Sequence, residues 1–203
     1  MYLALTGDRL KGKDVFLAGV ATHYVPYEKY GQLKEKFIEG RFEGDKDVDN
    51  CINQFSQQFG QEEASWWNNK DLIEQVFSKN TVEEIFESLE KDGSEFSLKT
   101  LKTLNRVSPT SLKVTFKQLR EGLRLNMDPE ACLKMEYRMS QRFFSEKDFF
   151  EGVRALIVEK DNKPKWSPPS IYQVTEEMVN KYFEPLPLER EWIKDNFQDH
   201  SNL

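Results

Sequence analysis

The sequence predicts a mostly α-helical chain, and three observations carry that expectation. Apolar residues recur at steps of three and four through most of the 203 residues, the spacing that lines one face of a helix. Helix starts are spelled out chemically: Ser108-Pro109 and Asp128-Pro129 each set a capping side chain before a proline, whose fixed φ and missing N–H suit the first helical position. Only residues 20–25, Val-Ala-Thr-His-Tyr-Val, read as a strand, ended by Pro26.

Taken in order, Tyr2, Leu3 and Leu5 read as the end of an apolar helix stopped at Gly7, because glycine accepts the left-handed backbone that closes a helix. Residues 13–18 form a short helical turn closed by Gly19, and the strand candidate follows. Between 28 and 40, Tyr30, Leu33, Phe37 and Ile38 fall at helical spacing. Residues 41–47 read as a charged loop, and 48–58 as a polar helix through Ile52 and Phe55. Leu72, Ile73, Val76 and Phe77 make one stripe. Thr81 and Glu84 stand at capping-box spacing ahead of Val82, Ile85, Phe86 and Leu89, with Gly93 as the stop. A further helix spans 96–104. Leu112, Phe116, Leu119 and Leu123 continue from Ser108, and Cys132, Met135, Met139 and Phe143 from Asp128. Asp148 and Glu151 read as an aspartate version of the capping pair ahead of Val153, Leu156 and Ile157. Beyond Asp161 lie five of the eight prolines, so the tail is extended, with short helices expected at 175–183 and 188–197. These helices are short and their apolar stripes narrow, which implies packing against something further.

Composition excludes several classes. Apolar residues are 38% and charged ones 32%, a lean mix. Even so, 15 Phe, 7 Tyr and 4 Trp supply bulky core groups and argue against wholesale disorder. No run approaches the ~18 apolar residues that span a bilayer. A net charge of -6 lacks the basic footprint of a nucleic-acid binder. Cys51 and Cys132 form no CxxC, so neither a disulfide framework nor a zinc scaffold is expected, which fits a reducing compartment. The first residues resemble neither a signal peptide nor a transit peptide, and they begin with apolar residues and a turn already under way.

Few residues suggest chemistry by themselves. Of the two histidines, His23 reads as a structural imidazole beside Tyr24, and His200 lies near the end of the chain. Asp45, Asp47 and Asp49 alternate as in a calcium loop but lack its glycine and closing glutamate, so no metal is expected. The ten glycines include no adjacent pair and no phosphate-cradling motif. Trp66-Trp67 reads as a pair clamped onto a helix, and Met135 and Met139 as core. Lys160, Lys163 and Lys165, around Pro164 and Trp166, make a small positive patch that is either solvated surface or a contact for an acidic or phosphate-bearing partner.

Four blocks carry a resemblance: residues 3–25 with Thr6-Gly7-Asp8-Arg9 and Ala21-Thr22-His23-Tyr24-Val25; residues 108–115; Met135-Glu136-Tyr137-Arg138-Met139-Ser140; and Asp148-Phe149-Phe150-Glu151-Gly152-Val153-Arg154-Ala155 followed by Lys160-Asp161 and Pro164-Lys165-Trp166. In this order they resemble the 3-hydroxyisobutyryl-CoA hydrolase branch of the crotonase (enoyl-CoA hydratase/isomerase) superfamily. The resemblance implies the helical C-terminal portion of a crotonase (ClpP/crotonase-like α/β) fold, with the β-spiral core missing upstream. It divides the chain into the end of the core at 1–26, a helical region at 27–161 and a proline-containing tail at 162–203.

The activity so implied is hydrolysis of an acyl-CoA thioester in valine breakdown, in the mitochondrion. Coenzyme A is then part of the substrate, and no separate cofactor is implied. Such chemistry needs two N–H groups around the thioester oxygen and a carboxylate that attacks or activates water. In the family these come from a Gly-rich helix start, a PET-x-x-G glutamate and a PD-x-G aspartate. This chain has no Gly-Gly and no Pro-Asp, and its one Pro-Glu, Pro129-Glu130, sits at a helix start. No catalytic residue carries over. The one site residue the resemblance suggests is Lys160, near where related enzymes place a basic residue close to the CoA nucleotide. Expected partners are an acyl-CoA, with no nucleic acid and no membrane, and either self-association or packing against an N-terminal half. A non-catalytic, mitoribosome-associated role and hydratase or isomerase chemistry are the alternatives the same resemblance leaves.

Overall fold

The computed structural model describes residues 1–192. Its α-helices are α1 (Tyr2–Thr6), α2 (Lys13–Leu17), α3 (Tyr30–Glu39), α4 (Asp45–Asn53), α5 (Lys70–Phe77), α6 (Val82–Asp92), α7 (Glu95–Leu104), α8 (Pro109–Arg124), α9 (Pro129–Phe143), α10 (Lys147–Val153) and α11 (Glu176–Asn180). α10 runs directly into a π-helix, Arg154–Val158. Among the described residues there is no strand, and no helix is long and apolar enough to cross a membrane. The chain forms two compact units, one of residues Asp8–Glu74 and one joining Met1–Gly7 to the chain from Gln75 onward. These boundaries differ from the division at 26 and 161 drawn from the sequence.

The Asp8–Glu74 unit holds α2, α3 and α4. Asp14 accepts from the Ser65 amide at 3.0 Å, Lys13 pairs with Glu63 at 2.9 Å, and Phe59 lies edge-on to Tyr24 at 5.1 Å between ring centres. Residues 20–25, expected as a strand, are irregular instead. The Val20 and Ala21 amides both fold back onto the Val15 carbonyl at 3.1 Å, and Tyr24 O accepts one bond, from Gln57 N at 2.9 Å. Alternation and β-branched residues make a strand only where a partner strand supplies a ladder, and one bond is not a ladder. α4 starts at Asp45 rather than Val48: Asp45 and Asp47 lie in its first turn, where the positive helix end favours carboxylates.

In the other unit the sequence signals hold closely. Thr81 Oγ1 accepts from Glu84 N at 3.1 Å, and Gly93, at φ 63°, closes α6 by donating to Leu89 O. Ser108 and Asp128 cap α8 and α9 from Oγ and Oδ2. α6 packs on α7 and α8, burying Ile85, Leu89, Leu104 and Val114 at 1% exposure or less. The tail closes a second cluster of Val114, Met139, Val174, Val179 and Tyr182, reached through α11, which Thr175 caps at 3.2 Å. Of the helix expected at 188–197, residues 188–192 form a turn and a bend, and 193–197 lie outside the described residues. Here Glu191 accepts from Arg138 Nε at 3.0 Å and from Leu186 N at 2.7 Å.

One expected cap is corrected. Glu146, whose side chain makes no capping bond, stands at the start of α10, and Asp148 lies one residue inside the helix. Its carboxylate is taken by long-range donors instead.

Candidate functional site

Asp148 is 7% exposed. Oδ2 accepts the Ser108 hydroxyl at 2.6 Å, and Oδ1 accepts the Ser167 amide at 2.8 Å. The start of α8, the start of α10 and the proline-rich tail are thus pinned at one buried carboxyl group, each of whose oxygens accepts a hydrogen bond that offsets the cost of burying it. Ser108 meanwhile accepts from Ser111 N at 3.1 Å, so its hydroxyl serves as cap and donor together.

Around this pin opens a cleft of about 690 Å³, lined chiefly by apolar groups such as Val107, Phe143, Phe149, Leu156 and Trp166, with Arg106, Ser111 and Asp148 among its polar ones. Trp166 closes one side by donating from Nε1 to Arg106 O at 3.1 Å. Its ring lies so close to α10 that a Cβ on Gly152 would meet it at 3.3 Å. An apolar cleft with a few placed polar groups is the usual shape of a small-molecule site.

The rim carries the basic patch. Lys160 is exposed and has φ 56°, in the left-handed region, and Asn162 repeats this at φ 55°. The turn is tied by Asn162 N to Ala155 O and by Asn162 Nδ2 to Lys160 O, both 3.0 Å. Arg154 sits at its base. Its guanidinium donates to both oxygens of Glu151 at 2.9 and 2.7 Å, to Asp161 at 2.8 Å, to Glu159, and to the Lys163 carbonyl at 3.3 Å. The Lys165 amide completes the Glu151 site at 2.7 Å. Arg154 first, then this amide, hold the Glu151 carboxyl down to about 2, and Arg154 likewise lowers Asp161. The carboxylates in turn raise Arg154.

Other sequence candidates are placed elsewhere. His23, in the Asp8–Glu74 unit, is partly buried with Nδ1 2.9 Å from Thr22 Oγ1. Asp45, Asp47 and Asp49 are helical residues of α4, and among the described residues no group of three or more His, Cys, Asp or Glu is placed to hold a metal. Trp66 and Trp67 lie tilted against each other at 6.5 Å, with Lys70 over the Trp67 ring at 5.0 Å. His200 lies outside the described residues. Sequence reasoning missed Arg154 as a hub, although Glu151 and Arg154 at i,i+3 are a readable helix pair.

The sequence matches the enoyl-CoA hydratase/isomerase family profile over residues 1–183. It is 45% identical to the mitochondrial 3-hydroxyisobutyryl-CoA hydrolase of Dictyostelium discoideum over 94% of this chain and 50% of that protein. For the enzymes of the same name from Xenopus laevis and Homo sapiens the identities are 43% and 42%, over 92% and 91% of this chain and 49% and 48% of theirs. The chain thus spans about half the length of these relatives. Among solved structures it is similar to a carnitinyl-CoA dehydratase from Mycobacterium thermoresistibile, with TM-score 0.79, 28% identity and coverage of 96% of this chain and 53% of that one. An enoyl-CoA hydratase from Rhodobacter sphaeroides 2.4.1 matches with TM-score 0.69 and 28% identity, over 91% and 51%. The profile covers nearly the whole described chain, and the fold follows the same kinship: this protein belongs to the enoyl-CoA hydratase/isomerase family.

Proposed function

We propose that this chain is the helical portion of a mitochondrial thioester hydrolase that converts 3-hydroxyisobutyryl-CoA and water to 3-hydroxyisobutyrate and CoA. The observation that carries this reading is the identity gradient: 42–45% to three proteins named as that hydrolase, against 28% to a dehydratase and a hydratase. In the reaction water adds to the thioester carbon, the C–S bond breaks, and the thiol leaves with a proton. The oxyanion donors and the attacking or activating carboxylate match no motif in this chain, so they are assigned to the half of the enzyme that this chain does not span. This chain's part is to shape the acyl-CoA site and to hold Lys160 toward a phosphate of the CoA nucleotide. Its exposed apolar run, Phe150, Leu156, Ile157 and Val158, at 52–69% exposure, supports packing of this face against that other half, since contiguous apolar surface of this kind marks an interface.

The test is thiol release. The chain alone is expected to release no CoA from 3-hydroxyisobutyryl-CoA above a heat-killed control. Grafted in place of the matching half of the Dictyostelium hydrolase, it is expected to support release. A folded chimera that hydrates enoyl-CoA but leaves the thioester intact would overturn the hydrolase reading. Release by the chain alone would overturn the assignment of catalysis to the other half.

A further inference from the structure

α8 carries a second row beside its apolar stripe. Lys113, Lys117, Arg120 and Arg124 follow at steps of four, three and four, so they share one face, where neighbouring like charges repel. With the start of α6 and with α11, this face lines a cleft of about 580 Å³, which shares no lining residue with the cleft at Asp148. Three carboxylates line it too: Glu83, Glu121 and Glu176. Glu83 pairs with Lys113 and Glu121 with Arg124, one acid to one base. The two middle cations are held by neutral groups instead. Lys117 donates to Asn180 Oδ1 and lies over the Phe183 ring at 4.9 Å. Arg120 donates to Lys79 O at 2.7 Å and lies over the Phe116 ring at 4.6 Å. Both are partly buried, and neither makes an ion pair among the described residues. Against these two charges stands one unpaired carboxylate, Glu176, exposed in the first turn of α11. The lining therefore keeps a net charge of one positive unit, centred on Lys117 and Arg120.

A partly buried cation without a counter-ion gives up hydration for little return, and ring and carbonyl contacts offset only part of that cost. An oxyanion between Lys117 and Arg120 would relieve their repulsion and meet donors still free. Arg120 spends one of its five N–H groups on Lys79 O, and the rest of the fork suits two oxygens of a carboxylate or phosphate. The Tyr172 end of the cleft is unfavourable to an anion, because burial first and then the Glu90, Glu87 and Glu83 carboxylates raise its hydroxyl. Its exposed ring suits an uncharged body instead. The volume lies within the ~300–1,000 Å³ of small-molecule sites.

We propose that this cleft binds a small organic oxyanion, a carboxylate or a phosphate monoester, with its charged head between Lys117 and Arg120 and its uncharged body toward Tyr172. The site is independent of the thioester reading above.

The experiment titrates the isotope-labelled full chain at fixed ionic strength with inorganic phosphate, phenyl phosphate and phenylacetate in turn, following backbone amides. Shifts are expected at residues 79–83, 117–120 and 176–180 with both organic probes, and the tighter of the two identifies the head group. Phenyl phosphate should bind about fivefold or more tighter than inorganic phosphate, through its ring. Lys117→Met and Arg120→Met should each weaken binding by about tenfold. Arg124→Met removes an exposed cation that Glu121 already pairs and should weaken it by less than about twofold. Glu176→Gln removes the one unpaired acid and should tighten binding by about twofold or more, which a variant that merely loosens the fold would not do. Absence of shifts with both organic probes, wild-type affinity in either Lys117→Met or Arg120→Met, or an equal loss from Arg124→Met would each overturn the proposal. So would unchanged affinity in Glu176→Gln, or inorganic phosphate binding as tightly as phenyl phosphate.

Discussion

Residues 82–124 and residues 147–166 belong to the same compact unit, yet they are held in different ways. In the first, α6, α7 and α8 bury Ile85, Leu89, Leu104 and Val114 almost completely, and capping side chains finish each helix start. In the second, large apolar groups face outward while the backbone is fixed by directed bonds: Asp148 to Ser108 and Ser167, and Arg154 to three carboxylates and a carbonyl. Area burial is undirected and tolerant of position, so it suits a scaffold. Bonds to a carboxylate or a guanidinium fix geometry within narrow limits, so they suit a segment whose outward groups serve something else. The largest effects should therefore come from the first stretch. Leu89→Ala, at 0% exposure, should cost about 2–5 kcal/mol in urea unfolding with an unchanged m-value. A loss below about 1 kcal/mol would show that the α6–α8 layer relaxes around the cavity and is not the rigid member of the pair.

Asp148 separates the two modes next. Truncating it to alanine leaves the Ser108 hydroxyl and the Ser167 amide without their acceptors, and a buried donor left unpaired costs about 1–3 kcal/mol. Asp148→Asn keeps one acceptor oxygen and should cost less, with the Ser167 amide exchanging more slowly in the asparagine variant than in the alanine one. Equal losses in both variants would mean that packing, not the carboxylate, pins the tail to α8 and α10.

The same contrast explains what could be read from the sequence. α6 was legible because its cap, stripe and stop are all local: Thr81 with Glu84, then Ile85 and Leu89, then Gly93. Asp148 has the same spacing to Glu151 as Thr81 has to Glu84, and the cap reading followed from it. Its actual partners stand 40 and 19 residues away, and no local period encodes them. Residues 20–25 failed for the converse reason, since strand character is completed by a neighbour that this segment lacks. The lysines around Trp166 were visible as a patch, and the resemblance pointed to Lys160, but the hub was not. Glu159 reaches Arg154 across the π-helix, and Asp161 beyond the left-handed turn at Lys160, and neither feature has a sequence signature.

The smallest effect is expected at Glu151, an ion-pair partner near the surface, where such pairs contribute little. Its carboxyl is held down to about 2 from an ordinary 4.5, by Arg154 first and the Lys165 amide second. A depressed carboxyl stabilises the fold fully above its unfolded value and loses that contribution as pH falls through the folded one. The stability gap between wild type and Glu151→Gln should therefore be widest above about pH 5 and close on the way to about pH 2. Because Glu151 also accepts from Lys165 N, slowed exchange of that amide in wild type should fade over the same window, and with it the difference between a loop fixed by charge and one fixed by shape. A gap that stays constant down to about pH 2 would mean that Arg154 holds the carboxyl no better than it holds an amide. The segment would then be organised by packing, as α6–α8 is, and the contrast between the two stretches would collapse.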